Sequence, residues 1–379
     1  MKTIHVGNNE SNIDFIYHIS DIHIRLYQRM KEYDYCFQAL YQMIREDNRP
    51  NSIIVITGDI VHSKNELSPE CDMMTFDFLQ SLSMLKPTIV IAGNHDALLN
   101  NPNRTDTLSS ILHQRVASNL YFLKHSGVYK FCNLYIYVDS CLDQDTVDMT
   151  QKIQQDGIHI ALYHGGIVGW RNVKGYISDH GENYMENFRG MDYVLLGDIH
   201  MFQYMSTSNP VAAYSGSLIS QNFGETDKEH GILEWDLTNK TQRLRPLENP
   251  YRFQDVYLLP DQQVRTDHVV SFWKDAEIAP YGQIKVYATT DDIYSRDLFQ
   301  QLQSTWKKSS FHYQSKRQVL QDDAKEVNST QDDVCHLLHD YVGSNVSPAL
   351  RDDILSELTT EWTEHDRFQV AMQWNIRSI

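Results

Sequence analysis

Five short apolar runs in this chain each break off at a cluster of Asp, Asn, His or Gly. Phe15-Ile16-Tyr17-His18-Ile19 leads to Asp21-Ile22-His23, and Ile53-Ile54-Val55-Ile56 leads to Gly58-Asp59-Ile60-Val61-His62. Thr88-Ile89-Val90-Ile91-Ala92 runs into Gly93-Asn94-His95-Asp96. Ile160-Ala161-Leu162-Tyr163 ends at His164-Gly165-Gly166, and Tyr193-Val194-Leu195-Leu196 at Gly197-Asp198-Ile199-His200. Four apolar residues in succession suit a strand buried on both faces. A sheet covered on both faces gathers its ligands beyond the carboxyl ends of its strands. The pattern therefore predicts a layered α/β fold whose polar clusters meet at one end.

The spacing between the runs agrees. Tyr27 to Arg45 carries Tyr33, Phe37, Leu40, Met43 and Ile44 at helical spacing, and Glu70 to Leu85 reads as a second helix. After Val116 the texture changes to short strand candidates, Leu120–Leu123, Val128–Phe131 and Leu134–Val138, which suggest a second, more antiparallel half of the sheet. Gly169 to Arg189 reads as a loop over the site, and Gly231 to Leu237 as the closing strand. Asn249-Pro250 marks a boundary, so one large domain is expected over 1–250 and a small α+β capping domain over 251–321. A linker and helical tail are expected over 322–379.

A formal charge of -17 excludes adhesion to nucleic acid through a globally basic surface. Any such contact must be local or metal-mediated. Five scattered cysteines with no C-x-x-C spacing argue against a disulfide framework or zinc ribbon and for a reducing interior. No signal peptide and no membrane-length apolar run is seen, so a soluble intracellular protein without membrane attachment is expected.

Asp21, His23, Asp59, Asn94, His164, Asp198 and His200 form a mixed oxygen and nitrogen donor set that suits a pair of manganese, iron or zinc ions. Taken singly, an aspartate after a strand is more often a helix cap, and a histidine more often a hydrogen-bonded surface residue. Convergence of the whole set is what singles out a site. Asp59 is the natural bridge, because one carboxylate has two oxygens to share between ions ~3.5–4 Å apart.

Asp-x-His, Gly-Asp-x-x-His, Gly-Asn-His-Asp, a later His and a final Gly-x-x-His resemble the calcineurin-like metallophosphoesterase superfamily. Within it the chain is most similar to the nuclease subunit of the double-strand-break repair nuclease–ATPase complex, the bacterial SbcD type with its phage and viral relatives. His62 stands three residues after Asp59, where the superfamily's protein phosphatases show Asp-Arg. Tyr214-Ser215-Gly216-Ser217 followed by Gly231-Ile232-Leu233 resembles that family's tyrosine–glycine–serine turn and closing strand. The resemblance is specific over 13–237 and architectural beyond.

It implies a two-sheet sandwich flanked by helices. One metal would be held by Asp21, His23, Asp59 and His200, and the other by Asp59, Asn94, His164 and Asp198. The ions would be manganese, with magnesium as the alternative. His95 would act on the scissile phosphate, Asp96 would fix its ring, and His62 would help place the phosphate or strand. The family usually carries His-x-His where this chain has Asp198-Ile199-His200, so Asp198 either ligates directly or stands behind the ligands.

Leu298 to Gln321 holds Lys307, Lys308, Lys316 and Arg317 among Trp306, Phe311, His312 and Tyr313, with no acidic residue. This suits a DNA-contacting surface or an ordinary solvated face with core aromatics. Amphipathic stripes over 334–342 and 348–362, with the alternating segment Phe368–Ile379, fit a tail that binds a partner. The resemblance implies DNA and a coiled-coil SMC-like ATPase subunit as partners, with a homodimer as a further expectation. The expected function is a metal-dependent DNA exonuclease and endonuclease. The alternatives are a stand-alone phosphodiesterase or phosphatase, and a non-catalytic scaffold.

Overall fold

The computed structural model describes residues 3–315, apart from 7–11, 102–103, 116, 144, 173–174, 226–228, 268 and 289–292. Lys316, Arg317 and the expected linker and tail over 322–379 lie outside the described residues.

In chain order the first elements are β1 (Thr3–His5), β2 (Phe15–Ile19), α1 (Met30–Asp47), β3 (Ser52–Thr57), α2 (Pro69–Leu85), β4 (Thr88–Ile91), α3 (Thr107–Ile111) and β5 (Leu120–Phe122). Next come β6 (Gly127–Phe131), β7 (Leu134–Asp139), β8 (Ile158–His164), β9 (Tyr193–Gly197), β10 (Gln203–Ser206) and β11 (Val211–Tyr214). The sandwich closes with β12 (Gly231–Asp236) and β13 (Thr241–Pro246). A small unit follows: β14 (Phe253–Leu259), β15 (Gln263–Thr266), β16 (Val269–Phe272), β17 (Gln283–Ala288), α4 (Ile293–Thr305) and β18 (Ser310–Ser315).

Two sheets form the sandwich, ordered β13-β12-β2-β3-β4-β5 and β1-β6-β7-β8-β9-β11-β10. In β3 every residue is buried, and its pleat divides them between two cores. Ile54 and Ile56 face α1 and α2, packing with Leu40, Ile44, Phe78 and Leu82. Ile53 and Val55 face the other sheet, against Ile136, Val138, Ile160 and Leu162. Uninterrupted apolar runs are thus needed because both faces are covered. The helix expected from Tyr27 starts at Met30, since Arg29 holds a left-handed backbone (φ 59°), and Asn48 ends it the same way (φ 45°). The other main helix is capped by Ser68, whose hydroxyl accepts from Cys71 N at 3.1 Å, with Pro69 in the first turn.

The expected antiparallel half takes a different form. β5 extends the first sheet, parallel to β4. The second sheet is separate, and its centre β7-β8-β9-β11 is parallel. Its crossovers run through the irregular segments 140–157 and 165–192 rather than through α-helices, so no helical periodicity announced parallel strands. Phe188 and Met191 from those segments cover its outer face, packing with Tyr163 and Leu196. β12 does not close its sheet, because β13 pairs outside it.

The small sheet, ordered β16-β15-β14-β17-β18, belongs to the same compact unit as the sandwich, except for Ala288, Gln314 and Ser315 at the ends of β17 and β18. Asn249 Nδ2 donates to Glu32 Oε1 at 2.8 Å, and the Arg29 guanidinium lies 5.1 Å from the Phe253 ring centre. No described helix is long and apolar enough to cross a membrane.

Candidate metal centre

The turns after β2, β3 and β9 share a backbone peculiarity. Asp21 (φ 51°), His23 (φ 52°), Asp59 (φ 52°) and Asp198 (φ 91°) all hold left-handed conformations that side chains other than glycine rarely adopt. Each costs on the order of 1–3 kcal/mol and persists only where surroundings over-determine it. Backbone pairing supplies that constraint for the first two turns: Asp21 N donates to Gly58 O (3.1 Å), His23 N to Asp59 O (3.0 Å) and Ile24 N to Ile60 O (2.8 Å).

Three glycines let the two sheets' ends approach. A Cβ on Gly93 would lie 2.2 Å from Asp59 Oδ1 and 2.7 Å from His164 Cε1. One on Gly197 would lie 2.2 Å from Thr57 O, and one on Gly58 2.5 Å from His164 Nδ1. The glycines of the sequence motifs are therefore steric requirements of the place where His164 crosses to the other sheet.

Two donor groups result, and Asp59 belongs to both. His23 Nε2 lies 3.6 Å from Asp59 Oδ2, 4.0 Å from Asp21 Oδ1 and 3.0 Å from His200 Nε2. His200 Nε2 is 3.8 Å from Asp21 Oδ1. On the other side His164 Nε2 lies 3.3 Å from Asp59 Oδ1 and 3.8 Å from Asp198 Oδ1. Asn94 Nδ2 donates to Asp198 Oδ1 at 2.9 Å. The structure thus brings together all seven residues named as ligands from the sequence.

These residues fit divalent ions. Asp21 Oδ1 and His164 Nε2 are buried with no hydrogen-bond partner, a costly condition that a bound cation relieves. His164 Nδ1 faces Thr57 O at 2.6 Å, so its proton belongs there and Nε2 presents a lone pair to the centre. His200 Nδ1 faces Glu225 Oε1 at 2.8 Å with the same consequence. Among the described residues no lysine or arginine pairs with Asp21, Asp59 or Asp198.

Electrostatics of the metal-free chain point the same way. Burial works against a charged His164, yet Asp59, Asp21 and Asp198 push its pKa up to about 10. His200 rises to about 9 against burial, through Glu225 and Asp21. Burial raises Asp59, but His164 and His23 prevail and hold it well below the usual carboxylate range. Protons here occupy the place of cations.

His95 and His62 sit beside this centre, both half-buried. The His95 ring makes an edge contact with His23 (4.8 Å) and stacks on His62 (5.5 Å). Asp96 does not orient the His95 ring. His95 Nδ1 lies 2.6 Å from the carbonyl of His62, which takes that role. The Asp96 carboxylate is fully buried and accepts from Ile60 N (3.0 Å), Val61 N (3.0 Å) and Gly93 N (2.8 Å), tying two site turns together. Lys307 and Lys308 are exposed in the turn between α4 and β18, with Lys308 Nζ 5.2 Å from the Tyr281 ring centre.

Sequence reasoning missed Glu225 and the carbonyl of Thr57. Glu225 follows the polar stretch Ser220-Gln221-Asn222-Phe223-Gly224, where nothing periodic marks it. Tyr214 also gains a specific task, donating its hydroxyl to Gly165 O (2.9 Å) and accepting from Ile167 N (2.8 Å), which fixes the turn after His164.

Residues 16–202, the span that supplies all seven candidate ligands, match the calcineurin-like phosphoesterase family. The chain carries a calcineurin-like phosphoesterase domain. The chain is also similar to an uncharacterized protein of Acanthamoeba polyphaga mimivirus, 41% identical over 269 residues. That stretch is 68% of this chain and 20% of the viral protein, so the aligned part spans about one fifth of the relative's length. The similarity therefore extends beyond the residues that match the family.

Proposed function

We propose that this chain is a two-metal-dependent DNA nuclease of the nuclease–ATPase type, cutting phosphodiester bonds both as an exonuclease and as an endonuclease. The observation that carries the reading is the shared carboxylate of Asp59, with His23 on Oδ2 and His164 on Oδ1, beside a half-buried His95. Asp21, His23, Asp59 and His200 would hold one ion, and Asp59, Asn94, His164 and Asp198 the other. Divalent ions held there would supply Lewis acidity toward a phosphoryl oxygen and an attacking water.

The chain's own groups do the rest. With Nδ1–H donated to the His62 carbonyl, His95 would act through Nε2: its imidazolium form gives the Nε2 proton to the leaving oxygen and is left as the neutral Nδ1–H ring. His62, stacked on His95, would steady the phosphate or the strand. Burial of Asp21, Asp59 and His164 keeps water from screening these groups. DNA as substrate is supported by His62 three residues after Asp59, the spacing that resembles the nuclease branch. Manganese suits a donor set with three carboxylates and an amide. A coiled-coil ATPase subunit is the partner this branch implies.

The test is a substrate panel offered to manganese-loaded protein: linear duplex DNA, single-stranded DNA, cyclic nucleotides and a chromogenic phosphodiester. Cleavage of DNA with accumulation of nucleotides is expected. Turnover of the chromogenic diester or cyclic nucleotides alone would make the chain a stand-alone phosphodiesterase. Two bound ions with no turnover of anything would make it a scaffold.

A further inference from the structure

We propose that Glu225 is the positioning residue for His200, and that the small sheet governs how well it does so; this rests on the metal centre assigned above and on nothing about DNA. Glu225 is 5% exposed, although it sits in a short 3-10 turn (Phe223–Glu225) outside the sheets. A carboxylate so buried needs several donors, and it has them. Oε1 faces His200 Nδ1 at 2.8 Å and accepts from Asn222 Nδ2 at 2.8 Å. Oε2 accepts from Gln221 N at 2.7 Å and from Ser217 Oγ at 3.4 Å. Each of its oxygens is therefore fixed, and the fixed oxygen selects which nitrogen of His200 carries hydrogen. Nε2 is left to face His23 Nε2 at 3.0 Å and Asp21 Oδ1 at 3.8 Å. A carboxylate behind a ligating imidazole sets its tautomer and orientation.

The turn that carries Glu225 is held from outside the phosphoesterase domain. The Phe223 ring packs edge-on against Phe253, the first residue of β14, with centres 4.9 Å apart. Phe223 also meets His312 of β18 at 5.9 Å. From the other side Arg29 donates to Ser220 O (2.6 Å) and Gln221 Oε1 (3.2 Å), and its guanidinium lies over the same Phe253 ring. Behind the turn a cavity of about 370 Å³, lined in part by Glu225, His230, Arg252 and Phe253, leaves room for it to move when that packing is lost. Phe253 thus sits two contacts from a metal ligand: Phe253 on Phe223, and Glu225 on His200.

The test is manganese titration of the full chain by calorimetry, with the electron paramagnetic resonance spectrum of bound manganese as a second readout. Glu225→Ala should weaken one of the two ions by ~10–100-fold and leave the other unchanged. Glu225→Gln, which keeps an acceptor oxygen but no charge, should recover part of that loss, and it decides the matter if the alanine variant fails to fold. In a His200→Ala background, Glu225→Ala should cost nothing further, because the two act as one unit. Phe253→Ala should weaken the same ion several-fold, and Phe253→Leu should restore it. Unchanged affinity in both Glu225 variants, or full additivity with His200→Ala, would overturn the positioning role. Wild-type affinity in Phe253→Ala would overturn control by the small sheet. None of these outcomes depends on whether DNA is cleaved.

Discussion

His164 turns Nδ1 to the carbonyl of Thr57 at 2.6 Å and presents Nε2 to Asp59 Oδ1 at 3.3 Å. The contact joins β8 of one sheet to β3 of the other at the point where both strands end. His164→Ala should therefore remove one ion and keep its neighbour, since His23 and His200 group with Asp21 and the far oxygen of Asp59. Elemental analysis should fall from about two equivalents of metal to about one. Retention of both ions would remove His164 from the ligand set.

His95→Ala should behave in the opposite way. The residue reaches the centre through its backbone N–H, which donates to Asp59 Oδ1 at 2.8 Å and survives in alanine, and through ring contacts with His23 and His62, with no close approach to Asp21 or His200 among the described contacts. Both ions should stay bound while hydrolysis drops by ~10²–10⁴-fold, the usual worth of a positioned proton donor. Activity within a few-fold of wild type would end its assignment as the catalytic acid.

Gly93→Ala tests the steric argument. A methyl group placed 2.2 Å from Asp59 Oδ1 must push the Asp59 carboxylate or the whole turn aside. Destabilisation of about 1–3 kcal/mol is expected, together with weakened binding of both ions. A variant that melts and binds manganese like the parent would show that the turn has slack.

Asp198→His restores the donor usual at that position. Asp198 Oδ1 now lies 3.8 Å from His164 Nε2 and receives the Asn94 amide. Tighter binding of the second ion is expected, with half-maximal activity at a lower manganese concentration. No change in the titration would place Asp198 behind the ligands.

Stability should depend on pH in opposite senses with and without metal. In the metal-free chain His164 titrates near 10 and His200 near 9, against an ordinary value of 6.5. The folded state binds these protons more tightly than the unfolded one. Their stabilisation is complete below about pH 6.5 and is lost as pH rises toward 9 to 10. Melting midpoints in chelator should fall across that window. Under saturating manganese, which needs the same nitrogens unprotonated, they should hold or rise. A chelated protein that gains stability across the window contradicts the assigned protonation.

Much of this was legible in the residues, for a physical reason. A strand buried on both faces leaves no polar position until it ends, so Ile53–Ile56 and Gly58-Asp59 announce both strand and site. The residue pattern alone suggests one sheet with a second half, and the division into two sheets comes only from the family resemblance. Leu120–Phe122 and Val128–Phe131 look alike locally, and only their pairing with β4 or with β1 and β7 separates them. Asp96 misled by adjacency: it follows His95 directly, but the turn carries its carboxylate to amides near Asp59. The strand β14 was hidden by Gln254, which is fully buried on the inward face and interrupts the apolar alternation. That residue is satisfied there, donating to Glu277 O (2.8 Å) and accepting from Ala279 N (3.0 Å).

The strand that ends at Asp21 has two neighbours of very different origin. β3 lies beside it in parallel, and on its other flank runs β12, antiparallel, from Leu233 opposite His18 to Asp236 opposite Phe15. Every candidate metal donor precedes residue 202, yet the strand that seals β2 comes some thirty residues later. A fragment cut where the donors end would keep the chemistry on paper and expose a bare, otherwise buried strand edge, which is a template for association between copies. The smallest piece worth expressing alone therefore runs through Pro246, the end of β13, and the boundary of the reactive residues is not the boundary of anything that folds.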